Sequence, residues 1–253
     1  QYDYNRKLIK KKNLKKFLAL KYSEKFIEPY VIKNANKISI VYKIIEPYVL
    51  KYTDSKPELL YNKINFKKFF DFKIINNIKK PQILSVGNLI ESKNHKLIIQ
   101  VMKKIDANLL IIGKGELYDE LTNEIKSNGL ESKISILKSV PYDKISEYYK
   151  SADVFALAYD PKQEGLPMPV MEAMAAGTPI VIPKSIDSEE LGDEMQFAER
   201  NVHEFSQKIN QLLNDEKLRQ KCIAKGLEKA QNFDISILEK REAEIYEELV
   251  RKG

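Results

Sequence analysis

From Ile83 onward the apolar positions of this chain fall into two alternating rhythms. Short continuous runs have the length and β-branched content of strands buried on both faces: Ile83 to Val86, Leu109 to Ile112, Ile134 to Leu137, Val154 to Leu157 and Pro179 to Ile182. Between them the apolar spacing widens to helical intervals, first at Leu97, Ile98, Val101 and Ile105, then from Leu117 to Asn128 with Gly129 as cap, then from Lys144 to Ala152. Strands alternating with helices predict an α/β fold, a Rossmann-like doubly wound parallel sheet. Further helices are expected at His203 to Asn214, Glu216 to Asn232 and Ser236 to Arg251, with a break at Asn232-Phe-Asp234.

Before Pro81 the pattern differs. Basic and apolar residues interleave from Tyr4 to Leu20, as in a basic amphipathic helix that can lie on an anionic bilayer or cover a neighbouring domain. Phe26-Ile-Glu-Pro-Tyr-Val-Ile-Lys33 returns as Ile44-Ile-Glu-Pro-Tyr-Val-Leu-Lys51, two copies, too few for a repeat architecture. Ala35 to Ile40 and Pro57 to Asn62 read as short strands.

Charge sharpens this division. Residues 1–80 hold 20 Lys+Arg against 7 Asp+Glu, or +13; the net charge is +7, so the remainder carries −6. Such a front suits an anionic surface, although a Lys-rich composition alone also produces it. No recognised nucleic-acid module accompanies the basic front, so nucleic acid is not expected as a partner. The single cysteine, Cys222, rules out an internal disulfide and fits a reducing, cytoplasmic compartment. No apolar run is long enough to span a bilayer. The chain opens on Gln1, which fits a piece of a longer product or a processed one.

The crevice of a doubly wound sheet lies at the carboxyl ends of its strands. Gly87 to Lys93, Gly113-Lys-Gly115, Val140 and the stretch Glu164 to Glu172 all fall there. Met171, Met174 and Ala175 predict a short helix stopped by Gly177 and Pro179, with Pro167 and Pro169 in its first turn. Its start would direct unpaired N–H groups toward Glu164, Gly165 and Leu166, a seat for a phosphate. Glu172, about one turn in, can grip a sugar diol with two oxygens. Taken alone, the two carboxylates also fit surface residues flanking a core helix, Lys93 fits a solvated loop residue, and a bare G-x-G is weak.

Glu164-Gly-Leu-Pro-Met-Pro-Val-Met-Glu172 and the following Ala-Met-Ala-Ala-Gly-Thr-Pro resemble the E-x7-E signature of retaining glycosyltransferases of the GT-B fold, family 4. Val86-Gly-Asn88-Leu-Ile-Glu-Ser-Lys93 resembles a second motif of that family, with Asn88 in place of its arginine, and Gly113-Lys-Gly115 a third. The resemblance implies that Lys93 holds the donor diphosphate and, with Glu164, serves catalysis. Glu164 would hold the sugar ring hydroxyls and Glu172 the ribose. Gly87, Asn88, Gly113, Gly115, Gly165, Leu166 and Pro167 would line the donor site, with Val140 against the nucleobase. It implies a UDP- or GDP-sugar as donor substrate, a glycan or lipid-linked acceptor in cell-surface polysaccharide synthesis, no cofactor and no metal.

Asn62, Ile64 and Phe69 also match the family's interdomain stretch. Residues 1–75 are therefore expected to be the remnant of an acceptor-side domain and its linker, and 76–253 the nucleotide-sugar-binding domain, closed by a helix that crosses back. Work at the inner face of the membrane follows from the family and the basic front. An epimerase on the same fold, and a donor-binding subunit or pseudoenzyme without transfer of its own, are the other readings that the residues allow.

Overall fold

The computed structural model describes residues 14–71 and 81–252. Most of the expected basic helix, from Tyr4 to Asn13, and the expected domain boundary after residue 75 lie outside them. From Leu14 the chain is helical: α1 (Leu14–Tyr22) runs through a π turn (Ser23–Ile27) into α2 (Glu28–Asn34). Leu14, Leu18, Tyr22, Phe26 and Tyr30 recur every fourth residue and are all exposed. An α-helix would rotate such a row steadily around its axis, and the wider π turn takes part of that rotation back.

The expected front strands are reduced to two residues each, β1 (Ser39–Ile40) and β2 (Glu58–Leu59), paired in parallel. Both copies of the repeated octapeptide form helices with proline in the first turn, α2 and then α3 (Glu46–Val49). The copies meet, because Tyr48 Oη donates to Glu28 at 2.6 Å. A short helix, α4 (Phe66–Phe70), precedes the main sheet; Asn65 caps it by accepting from the Lys68 N–H.

The sheet contains β3 (Gln82–Val86), β4 (Asn108–Ile112), β5 (Ile134–Leu137), β6 (Val154–Ala156), β7 (Ile180–Pro183) and β8 (Gln196–Ala198). Its order is β5-β4-β3-β6-β7-β8, and every pairing is parallel. This is the doubly wound topology, with order reversing between β3 and β6, where Ile83 faces Val154 in register. The connecting helices are α5 (His95–Val101), α6 (Tyr118–Ser127), α7 (Ile145–Ser151) and α8 (Met168–Ala175), followed by α9 (Val202–Asn214), α10 (Glu216–Gln231) and α11 (Ile235–Lys252).

Alternation along the strands divides the core. Ile83, Leu109, Ile111 and Val154 face one way, against Ile98 and Val101 of α5, Leu121 of α6 and Phe205 and Ile209 of α9. Leu84, Ile112, Phe155 and Ile180 face the other, against Phe69, Tyr149, Val170, Met171 and Met174. Both faces are covered, which is why the strands read as continuous apolar runs.

The last helix returns to the front segment. Ile64 N–H donates to Phe233 O and Ile235 N–H to Ile64 O, at 2.9 Å each, closing a parallel bridge between Ile64 and Asp234, and the Asp234 carboxylate accepts from the Phe66 N–H. Arg241 pairs with Glu58, and Glu242 with Lys63. Beyond these contacts Tyr246 and Val250 stay exposed.

Two glycines hold the sheet's crevice end together. A Cβ on Gly113 would overlap the carbonyl oxygen of Gly87, and one on Gly115 that of Leu89. The loops after β3 and β4 therefore touch backbone to backbone, tied by Leu89 N–H to Lys114 O and Leu117 N–H to Leu89 O, both 3.0 Å. Gly113→Ala must force these loops apart, so we expect a loss of about 1–3 kcal/mol. Gly129, whose Cβ position is open, provides the control: Gly129→Ala should show only its left-handed backbone cost of about 1–2 kcal/mol, and chemical denaturation of both variants checks the ranking.

Candidate functional site

Two loops leave the sheet where its order reverses, one after β3 and one after β6. In the first, Glu91–Lys93 form a single 3-10 turn that stops at Asn94, whose backbone is left-handed (φ 50°) and whose side chain caps α5. That turn sets Lys93 inward, along the face of Gly87, where a Cβ would stand 3.4 Å from Lys93 Cδ. The second loop is stitched to it by the Asp160 N–H, which donates to Ser92 O at 2.7 Å.

Glu164 completes the junction. Its Oε1 accepts from Ser92 Oγ at 3.0 Å, and its Oε2 pairs with Lys93 Nζ. Both side chains are largely buried, 11% and 15% exposed. Removing one partner of such a pair strands the other charge, at a cost of about 3–5 kcal/mol. Sequence reasoning had chosen both residues but not their union, and it missed Ser92.

His95 lies just behind Lys93. Its Nδ1 is 3.1 Å from Ser85 Oγ, and burial, followed by the Lys93 charge, brings its pKa down to about 4, so the ring is neutral at pH 7. The remaining expected residues of this half divide. At Gly113 and Gly115 a side chain would meet backbone, the carbonyl oxygens of Gly87 and Leu89. Asn88 is exposed, its carbonyl accepting from the Ile90 N–H. Lys96 and Lys184, two cations that could take over the charge of an arginine at position 88, pair with Glu120 (2.9 Å) and Glu189 (3.8 Å).

The other half is carried by α8. Pro167 caps it in extended conformation and Pro169 occupies its first turn. Neither proline has an N–H, so the donors at this end belong to Gly165, Leu166 and Met168. Glu172, in the second turn, is buried, and its Oε2 accepts from Tyr149 Oη at 2.8 Å. Tyr149 is itself fully buried and packs edge-on against Phe69. Burial raises the Glu172 pKa; the Tyr149 bond and the positive charge of Lys68 oppose that rise. Lys68, from α4, donates to the carbonyl of Tyr142 at 2.6 Å, two residues beyond Val140. Val140 is half-buried against the Tyr149 side of the core.

The front segment forms the outer wall. A Cβ on Gly165 would overlap the Tyr42 ring, so this glycine gives Tyr42 its seat on the Glu164 loop. Asp187, 1% exposed, accepts from the N–H groups of Lys43 (2.6 Å) and Ile44 (3.4 Å). Above them opens a cavity of about 900 Å³ whose lining includes Tyr42, Tyr48, Tyr52, Lys25, Lys162 and Gly165. Among the described residues no His, Cys, Asp and Glu cluster suited to a metal ion is found.

The pattern of the family described as "Glycosyl transferases group 1" matches residues 66–229. The chain belongs to the group 1 glycosyl transferases. Among relatives, it is 34% identical over 147 residues to the amylovoran biosynthesis glycosyltransferase AmsD of Erwinia amylovora, covering 56% of this chain and 41% of that protein. It is 32% identical over 192 residues to the N-acetylgalactosamine-N,N'-diacetylbacillosaminyl-diphospho-undecaprenol 4-alpha-N-acetylgalactosaminyltransferase of Campylobacter jejuni, covering 71% and 50%. The chain thus spans about half the length of these group 1 relatives. Its fold is that of GT-B glycosyltransferases. It superposes on sucrose-phosphate synthase from Thermosynechococcus elongatus with TM-score 0.79 at 17% identity, over 90% of this chain and 61% of that one. For Anabaena HepE in complex with UDP and glucose the TM-score is 0.77 at 16% identity, over 88% and 66%.

The electrostatics of Glu172 are directly measurable. Its carboxyl should titrate above the ordinary 4.5 in a carbon-13 NMR titration, taking up its proton at a higher pH than an unperturbed glutamate does. Tyr149→Phe and Lys68→Met each remove an influence that lowers the pKa, so both should move that titration upward.

Proposed function

We propose that this chain is the donor-binding side of a retaining, family 4 glycosyltransferase that moves a hexosyl group from a UDP- or GDP-sugar. The observation that carries this reading is the buried Lys93–Glu164 junction set against the start of α8, with Glu172 in the next turn. In such a transfer the bond between C1 and the diphosphate breaks while an acceptor hydroxyl oxygen bonds C1 and its proton passes to the departing diphosphate oxygen. The transition state resembles an oxocarbenium ion leaving a dianion, so the main task is to stabilise charge on the departing diphosphate. Lys93 and the N–H groups of Gly165, Leu166 and Met168 meet it, with Gly87, Gly113 and Gly115 shaping the wall behind. Asn88 provides a neutral contact where an arginine would bring a bidentate clamp.

In this scheme Lys93 turns from Glu164 to the diphosphate, and the released carboxylate takes the hydroxyls of the sugar ring. Glu172 takes the ribose diol with Oε1, since Tyr149 occupies Oε2. Val140 borders the base. In this scheme lysine and N–H donors take the place of a metal.

The acceptor would be a glycan or a lipid-linked sugar, the class named for the diphospho-undecaprenol enzyme of Campylobacter jejuni. Among the described residues no helix is long and apolar enough to cross a membrane. The +13 charge of residues 1–80 and the exposed apolar row of α1 and α2 favour peripheral contact with the anionic inner face. Residues 1–75 then serve as the acceptor-side remnant and linker, and 76–253 as the donor domain.

Calorimetric titration with UDP and GDP provides the test. One of them should bind, and Glu172→Ala should cost at least about tenfold, as expected for a lost hydrogen bond to a charged group. The double variant Lys93→Met/Glu164→Gln removes both charges without stranding either. It should weaken the diphosphate while sparing the free nucleoside. Unchanged nucleotide affinity in both variants would overturn the assignment.

A further inference from the structure

Beside Glu172 lies a cationic and aromatic ledge that the diphosphate and ribose contacts leave unused. Lys68 Nζ donates to the Tyr142 carbonyl at 2.6 Å and lies over the Tyr142 ring. The neighbouring Phe69 is fully buried and packs edge-on against Tyr149, which donates to Glu172. Three elements thus converge on one spot: α4 brings Lys68, the loop after β5 brings Tyr142, and α8 brings Glu172. At the back the carboxylate is buried; at the front Tyr142 is 60% exposed, a large ring held at the surface beneath a lysine. An ammonium group has three donors and no acceptor. The Tyr142 carbonyl takes one, leaving two for a ligand.

We infer that Lys68 and Tyr142 read the nucleobase, the base lying along Tyr142 while Lys68 donates to an exocyclic carbonyl oxygen. The inference rests on the donor reading, which puts the ribose on Glu172 and the attached base within reach of this ledge. It adds a direction of selectivity. Uracil O4 and guanine O6 are acceptors, whereas the corresponding groups of cytosine and adenine are amino donors. A lysine facing an amino group leaves both without a partner, so the site selects oxo bases over their amino counterparts. A lysine serving only to keep Glu172 charged would instead favour every nucleotide alike.

These roles separate in a calorimetric panel of UDP, CDP, GDP and ADP against the parent chain, Lys68→Met, Tyr142→Ala and Glu172→Ala. The parent should prefer UDP over CDP and GDP over ADP by about tenfold or more, the range of a hydrogen bond to a charged group. Lys68→Met should bring both ratios close to one while binding stays sensitive to Glu172→Ala, and Tyr142→Ala should weaken all four. A uniform loss in Lys68→Met, with both ratios preserved, overturns the base-reading role and leaves the donor site standing. Absence of binding to the parent chain, or indifference to Glu172→Ala, overturns the donor reading and this inference with it.

Discussion

The ion pair between Lys93 and Glu164 is the contact on which the crevice depends. It joins the loops after β3 and β6, the two strands between which the sheet reverses its order, and it does so with little access to water. A pair in that position is a poor source of stability, since desolvation consumes much of its attraction. Its value lies in geometry. Ser92 Oγ, donating to the Glu164 carboxylate, and the Asp160 N–H, donating to Ser92 O, add two bonds across the same seam, so the loops hold each other at one distance whichever partner Lys93 chooses. The backbone contact that Gly113 and Gly115 permit carries this rigidity one strand further, to β4.

Glu172 follows a different logic. It faces a tyrosine rather than a cation at bonding distance, and burial works against its charge. Tyr149, with its own ionisation pushed well above 10 by burial, then by Glu172, is a donor at every physiological pH. One carboxylate is thus neutralised by direct pairing, while at the other burial opposes the charge and a neutral donor and a more distant lysine favour it. Eight positions apart in sequence, the two glutamates have distinct electrostatic characters, which suits them to different parts of one ligand.

The sequence made much of this legible, for a physical reason. Strands buried on both faces appear as unbroken apolar runs, and five of the six in the main sheet were read that way. β8 was missed because Gln196-Phe-Ala is three residues with a polar start. The octapeptide copies were noticed but given no structure, although proline after glutamate is a good opening for a helix; their joining through Tyr48 and Glu28 depends on the fold and not on local pattern. At the site, glycines and glutamates stood out because their motifs are contiguous. Ser92, Lys68, Tyr142 and Tyr149 did not, since their partners lie tens of residues away and each alone resembles an ordinary surface or core residue. The purpose of Gly113 and Gly115 was likewise hidden, because a missing side chain does not say what fills its place.

Tyr42 rests on Gly165, next to Glu164, and Asp187 holds the two residues that follow Tyr42. An aromatic ring over a glycine together with two N–H groups on a buried carboxylate makes a seated joint rather than a soft one. Movement of the front segment relative to the sheet cannot spread along the chain as gradual bending; the ring must leave its seat and the carboxylate must give up its donors together. The loop that carries Glu164 would therefore register the position of the front segment as one of two states, seated or released.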